Sequence, residues 1–314
     1  MLGKNVHRSF ILTACLIVYG SLNGEISVVS RAYADLDIQD HSWDAYPWIE
    51  GSHLFTHIKG QLKTIEHRYP PPEGASRIQV KTKSFGNWLR QLPMTPINTP
   101  VVFFDGSRKP DQSGVAGVIA IDIGKRDLQQ CADFTIRLRA EYLHFQKKFS
   151  QLSFQYTSGH QIPYSRWMKG ERPRVIEKRI NNKRRYQIQW RQTQKKGSPN
   201  AKLLRSYLTN IFRYAGTASL SRELKSVKSK DIQIGDVYIQ GGFPGHAVIV
   251  VDLAEHPQHG TLALLAQSYM PAQSPHILQN LNDRDLSPWY KIPSKGEIYT
   301  PDWTFKAHAL YRFK

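Results

Sequence analysis

Apolar residues recur at three- and four-residue spacing in two stretches of the chain. One is Phe134, Leu138, Tyr142, Phe145 and Phe149; the other is Leu204, Leu208, Ile211 and Phe212. Each spacing predicts an amphipathic helix with a single buried stripe. Asp127 followed by Gln130 has the form of a capping box and predicts that the first helix begins near Leu128. Gly216 breaks the second. "SFGNWLRQLPM" predicts a short helix closed by Pro93. Elsewhere, brief apolar runs stand between turn residues, the pattern of strands. "VVFFDGSRKP" reads as a strand into an Asp105-Gly106 turn, and "GVAGVIAIDIG" as a second strand ended by Gly124. "IQIGDVYIQGGFPGHAVIVVDLAEHPQHGTLALLAQSYMPAQ" predicts three strands, with turns at Gly241-Gly242 and around Pro257. "EIYTPDWTFKAHALYRFK" supplies a last strand. No internal repeat is visible, and helices and strands segregate. The expected class is α+β, a helix packed on an antiparallel sheet.

The flanks change the picture of organisation. "MLGKNVHR", the apolar run "SFILTACLIVYGSL" and "RAYAD" have the three-part layout of a secretory signal peptide, with cleavage between Ala34 and Asp35. A lipoprotein processing site at Cys15 is the competing reading of the same stretch. Residues 35–314 then form a single domain with an N-terminal extension over 35–100. Residues 35–60 read as an irregular, aromatic-rich lead-in. Residues 151–200 differ from their surroundings. "RPRVIEKRINNKRRYQIQWRQTQKKG" is densely basic and reads as an insertion of irregular or strand-like structure. The formal net charge of the chain is +18. Such a charge attracts anionic polymers or surfaces and says nothing of the fold. In an exported protein an anionic cell-wall polymer is the better partner, with peripheral membrane contact a further option. Nucleic acid is disfavoured because an exported protein seldom meets it. The sequence carries no signal of oligomeric state.

The chain has two cysteines. With the leader removed, only Cys131 remains, and it cannot form an intrachain disulfide. It stands in the first turn of the predicted helix, at the N-terminal end of the apolar stripe. Unpaired N–H groups and the positive dipole end favour a thiolate there. A nearby imidazolium would lower its pKa further, below the ~8.5 of a free cysteine. A buried small hydrophobe is the bland alternative. His246 follows a glycine turn and opens the apolar strand "HAVIVVD". Asp252 lies on the same strand, but roughly 20 Å along it, too far to orient the imidazole. If the hairpin pairs Asp252 with Thr261, His246 lies opposite Gln267, within side-chain hydrogen-bond reach. A one-residue slip would put Ser268 there, and Gln273 is a rival on the adjoining loop. Asp236 reads as a turn residue. His256 and His259 fall at a hairpin tip with no further metal ligands nearby, so no metal site and no cofactor is expected.

A helix-borne cysteine, a strand-borne histidine and a polar residue on the next strand follow the chain order of papain-like hydrolases. "QQCADF" and "IGDVYIQGGFPGHAVIVV" resemble the cysteine and histidine segments of NlpC-type and CHAP-type cell-wall peptidases. That resemblance implies a papain-like fold enlarged by the N-terminal extension and the basic insertion. Cys131 would be the nucleophile, His246 the base and Gln267 the orienting residue. The separation of Cys131 from His246 is longer than in the compact members. Over nearly all of the chain after the leader, the sequence also resembles the bacterial family domain of unknown function 4846. "SFGNWLRQLP", "DLQQCADFTIRLRAEYL", "YAGTASL", "GDVYIQGGFPGHAVIVVD" and "LLAQSYMPAQ" carry it. The expected function is an exported cysteine amidase or peptidase acting on cell-wall peptide. The alternative is a non-catalytic envelope-binding module that uses a basic face, with Cys131 structural.

Overall fold

The computed structural model describes residues 43–51, 53–181 and 183–314. The expected leader, its cleavage position and Cys15 lie outside the described residues. Helices are α1 (Phe85–Arg90), α2 (Cys131–Phe145), α3 (Ala201–Ile211) and α4 (Thr217–Glu223). Strands are β1 (Val115–Val118), β2 (Glu171–Ile180), β3 (Lys183–Gln192), β4 (Val237–Gln240), β5 (His246–His256), β6 (Gly260–Gln267), β7 (His276–Leu278) and β8 (Leu310–Arg312). The main sheet runs β1-β7-β6-β5-β4-β8 and ends in the short strand Lys225–Ser226. Tyr290–Lys291 adds to β6 and Ser76–Arg77 to β5, making nine strands, all paired antiparallel. The class is α+β. Among the described residues no helix is long and apolar enough to cross a membrane.

Both faces of this sheet are covered, which explains why β5 is apolar at nearly every position rather than at alternate ones. Ala247, Ile249 and Val251 join Phe134, Ile136 and Leu138 of α2 in the larger core. Val248 and Val250 join Phe305, Ile298 and Leu310 in a second core. The C-terminal residues that supply that second layer form Glu297–Tyr299, Thr304–Lys306 and β8, three strands where the sequence predicts one.

α2 starts at Cys131 rather than Leu128, and its cap is Gln130 rather than Asp127. The Gln130 side chain makes no cap hydrogen bond; the Asp133 side chain instead accepts the Gln130 N–H at 3.1 Å. The expected capping box is thus replaced by a one-sided cap three residues further on. The Asp127–Gln130 pair exists but is side chain to side chain, at 2.8 Å. Phe134, Leu138 and Tyr142 are buried as the stripe predicts. Phe145 is 40% exposed, and Phe149 belongs to the next short helix. The predicted strand "VVFFDGSRKP" makes only isolated bridges, though Gly106 does close the expected turn at a φ of 88°.

The lead-in is not peripheral: Trp43, Tyr46, Trp48 and Ile49 are all core residues. The basic stretch is ordered too. β2 and β3 are ten residues each and pair with each other from Glu171↔Gln192 to Ile180↔Lys183. The guanidinium of Arg166 over Trp190 (4.1 Å) and that of Arg172 over Trp167 (3.9 Å) anchor the base of this ribbon.

Candidate active site

The end of the sheet where β5 begins and β6 finishes holds the three residues in question. Cys131 is 9% exposed, His246 1% and Gln267 fully buried. His246 Nε2 and Gln267 Oε1 are 2.7 Å apart. They meet in a different register from the predicted one. Asp252 pairs with Leu264 and Glu255 with Thr261, because the hairpin turns tightly at His256↔Gly260. A bulge between Val250 and Asp252 then shifts the register before the pair Ile249↔Ala266. Gln267 is thus diagonal to His246 rather than opposite. The ~7–8 Å separation of diagonal neighbours is still within reach of these two side chains.

The glutamine is held from behind. Its NH2 group donates to Asp302 Oδ2 at 2.6 Å and approaches His276 Nε2 at 3.3 Å. His276 pairs directly with Gln267 across the β6–β7 ladder, and its Nδ1 lies 3.0 Å from the Ser274 carbonyl. The carboxylate and the carbonyl can only accept. The protons are therefore assigned in turn: His276 carries Nδ1–H, Gln267 donates at both NH2 positions, and Gln267 Oε1 accepts Nε2–H of His246. That leaves His246 Nδ1 with a free lone pair. Tyr269, Trp303 and Phe305 enclose the ring at centroid distances of 4.8, 5.6 and 5.8 Å. Burial pushes His246 down to about 4 despite the opposing Gln267 hydrogen bond and Asp302 charge, and burial takes His276 to about 4 as well. Both rings are neutral near pH 7.

Cys131 approaches from the other side. By strand alternation His246 shares its face with Val248 and Val250, whereas Ala247 faces the α2 layer. The thiol lies against the backbone N–H groups of Ala247, Cys131 and Ala132. The start of α2 is fixed by Ser268, whose Oγ donates to the Gln129 carbonyl at 3.1 Å, and by Asp127, whose Oδ1 accepts the Ala272 N–H at 2.7 Å. Among the described residues no hydrogen bond joins the Cys131 thiol to His246. The expectation of a thiolate near neutral pH is not met. Burial, with the nearby Asp133 carboxyl adding to it, pushes the thiol up to about 11, outweighing the three N–H groups that act the other way. Asp133 itself is held well above the usual carboxylate range by burial.

The rivals are placed elsewhere. Ser268 Oγ lies 2.8 Å from the Gln273 carbonyl and 3.1 Å from the Gln129 carbonyl, which share its one proton, so it ties loops together. Gln273 is buried and its backbone bridges to Phe103. Asp236 pairs with Arg312 at 2.6 Å and accepts the Gln233 N–H in its turn. Asp252 sits between Arg77 and Arg90, at 2.7 Å from each. His256 caps its hairpin tip, its Nδ1 accepting from the Gln258 and His259 N–H groups. The glycine turn before His246 is required by packing: a Cβ at Gly245 would collide with Thr217 Oγ1 of α4 and with the carbonyls of Gln240 and Gly242. The two loops leaving this end of the sheet expose apolar side chains, Phe243 (87%) and Met270 (61%).

A family model described as Domain of unknown function (4846) matches residues 65–312. The chain belongs to that family. No curated protein and no solved structure matches it. Within this 4846-family chain, the fold joins His246 and Gln267, both named from the sequence, to Asp302 and His276, which were not. Asp302 lies 35 positions beyond Gln267 in a connection between two short strands. Its only sequence signal is the aromatic pair Trp303 and Phe305, which reads as core. His276 opens an apolar strand just as His246 does, and that repeated feature could have drawn attention to it.

Proposed function

We propose that this 4846-family protein is an exported cysteine hydrolase, an amidase or peptidase acting on cell-wall peptide or a related amide. One observation carries the reading: a buried imidazole at a strand start, its Nε2–H held by the Gln267 amide at 2.7 Å, with a helix-terminal cysteine against the very next residue. An apolar core has no need of such a polar chain, since each buried polar group costs free energy unless it is paired. In the proposed reaction Cys131 passes its proton to His246 Nδ1 as sulfur attacks the amide carbonyl. The C–S bond forms, and N–H groups at the start of α2 receive the oxyanion. The imidazolium then protonates the leaving amine as the C–N bond breaks. Water, deprotonated by His246, hydrolyses the thioester. Because thiol and imidazole are both neutral at rest, proton transfer accompanies attack and the thiol first turns toward Nδ1. The basic ribbon of β2 and β3 supports an anionic polymer as the carrier of the substrate.

The burial of Cys131 and its lack of a hydrogen bond to His246 favour a second reading. In it the protein is a non-catalytic envelope-binding module and the cysteine is structural. Labelling of the native protein with a thiol-directed electrophile separates the two. The hydrolase reading expects labelling near pH 7 that slows in His246→Ala. Labelling only after unfolding, with no response to His246→Ala, leaves the binding module.

A further inference from the structure

We infer that Asp302 is a positioning residue, which sets the tautomer of His246 by fixing the orientation of the Gln267 amide. Its catalytic consequence rests on the hydrolase reading; the tautomer itself does not. The Gln267 side chain has two orientations of nearly equal shape. In the observed one the NH2 group meets the Asp302 carboxylate (2.6 Å) and the lone pair of His276 Nε2 (3.3 Å), and Oε1 meets His246. In the flipped one Oε1 would face a carboxylate oxygen and a ring lone pair, three acceptors together. The NH2 group would then donate to His246 Nε2. That nitrogen would have to give up its proton, and the proton would move to Nδ1, the nitrogen needed to take the proton of Cys131.

Asp302 is the stronger of the two anchors, because its bond is shorter and charged. His276 is anchored in its own tautomer by the Ser274 carbonyl, so it cannot become a donor to Gln267 without losing that bond. Among the described residues the carboxylate's other side-chain partner is Lys109, with Nζ at 3.5 Å. A structural role for Asp302 would run through that ion pair, which ties its connection to the segment around residue 109. A positioning role runs through the acceptor oxygen facing Gln267.

The experiment uses the full chain. Nitrogen chemical shifts of the His246 ring, identified by their loss in His246→Phe, report which nitrogen is protonated. The expected result is Nε2–H in the wild type and in Asp302→Asn, whose side-chain oxygen still accepts. In Asp302→Leu and in the smaller Asp302→Ala, the Nδ1–H form should appear. Lys109→Met should leave the ring unchanged. Labelling of Cys131 should fall with the tautomer, by roughly ten- to a hundredfold in Asp302→Leu, by analogy with the loss of outer-shell partners that orient metal-bound histidines. Asp302→Asn should restore most of that loss. An Nε2–H tautomer persisting in Asp302→Leu and Asp302→Ala would overturn the inference. So would a ring that changes equally in Lys109→Met. If the tautomer follows Asp302 while native Cys131 is inert with or without His246, the positioning role stands and the hydrolase reading falls.

Discussion

His246 and His276 are neutral at a cost that can be read from pH. Burial lowers both to about 4, against an unfolded value near 6.5. Between those values the unfolded chain binds more protons than the folded one, so stability rises with pH through that window. The contribution is complete above about pH 6.5 and is lost as pH falls toward 4, on the order of a few kcal/mol for each ring. Urea midpoints measured from pH 7 to pH 4 should fall, and the fall should be shallower in His246→Phe. A midpoint that is flat over this range in the wild type would mean that the rings titrate freely. The same depression bears on chemistry. On the hydrolase reading Nδ1 must be unprotonated to act as a base, so hydrolysis should persist to about pH 5 and fail as pH drops through His246's folded value near 4. Cys131→Ala should abolish it while costing little stability if the thiol is there for catalysis. A loss of about 1–2 kcal/mol in urea unfolding, with the native thiol inert, would instead assign Cys131 to packing.

β5 carries two separate polar devices, one at its start and one in its middle. His246 opens it, and Asp252 lies beyond the bulge, fully buried between Arg77 and Arg90. Removing the carboxylate leaves two guanidinium groups without their partner. Asp252→Ala should therefore destabilise by about 3–5 kcal/mol, read from denaturant midpoints. Any Cys131 labelling in the variant that still folds should be unchanged, because the two sites are roughly 20 Å apart along the strand. Loss of labelling at intact fold would show that the bulge transmits strain to His246. The ribbon offers the opposite contrast. Arg174, Lys178, Arg185 and Arg191 share one face of β2 and β3 with no carboxylate among them, whereas Arg184 on the other face is paired with Glu177. Arg174, Lys178 and Arg185 are exposed. Replacing these three by Gln should weaken retention on an anionic matrix and flatten its salt dependence, with thermal stability within about 0.5 kcal/mol of wild type. Unchanged elution would reduce the face to solvated charge.

At the scale of the whole chain, the sequence revealed the class and the meeting of His246 with Gln267 better than the detailed geometry. The α2 stripe and the β5 run were legible because core contacts impose 3.6- and near-continuous periodicities. The cap of α2 was misplaced because Asp127 and Asp133 both stand three residues from Gln130 and propensity alone cannot choose between them. Register was misread chiefly because the hairpin turns at His256↔Gly260, further along the chain than the predicted pairing placed it, and the one-residue bulge leaves no mark in an apolar strand. Asp302 was invisible because only folding brings it to Gln267. The family span begins at residue 65, but among the described residues the core already includes Trp43. A chain starting at residue 65 should therefore lose Trp43, Tyr46, Trp48, Ile49 and Phe55 from the core and unfold at markedly lower denaturant than one starting at Asp35. Equal midpoints would make the extension dispensable. The export reading adds that Asp35 is the mature N-terminus; N-terminal sequencing that finds Met1 on a protein retained in the cytosol would remove it.

The ten-residue strands of the ribbon have a further consequence in the language of polymers. At about 3.3 Å per residue they spread their cations over roughly 30 Å. A single anionic group gains little from such a surface at physiological ionic strength, where the screening length is ~8 Å. A chain of anionic groups gains repeatedly, since releasing one contact leaves its neighbours engaged and the next encounter is intramolecular. Substrate carried on such a chain would be met at an effective concentration set by chain flexibility rather than by bulk supply. Its apparent KM should then fall with the length of the polymer that bears it, while that of a free peptide stays fixed.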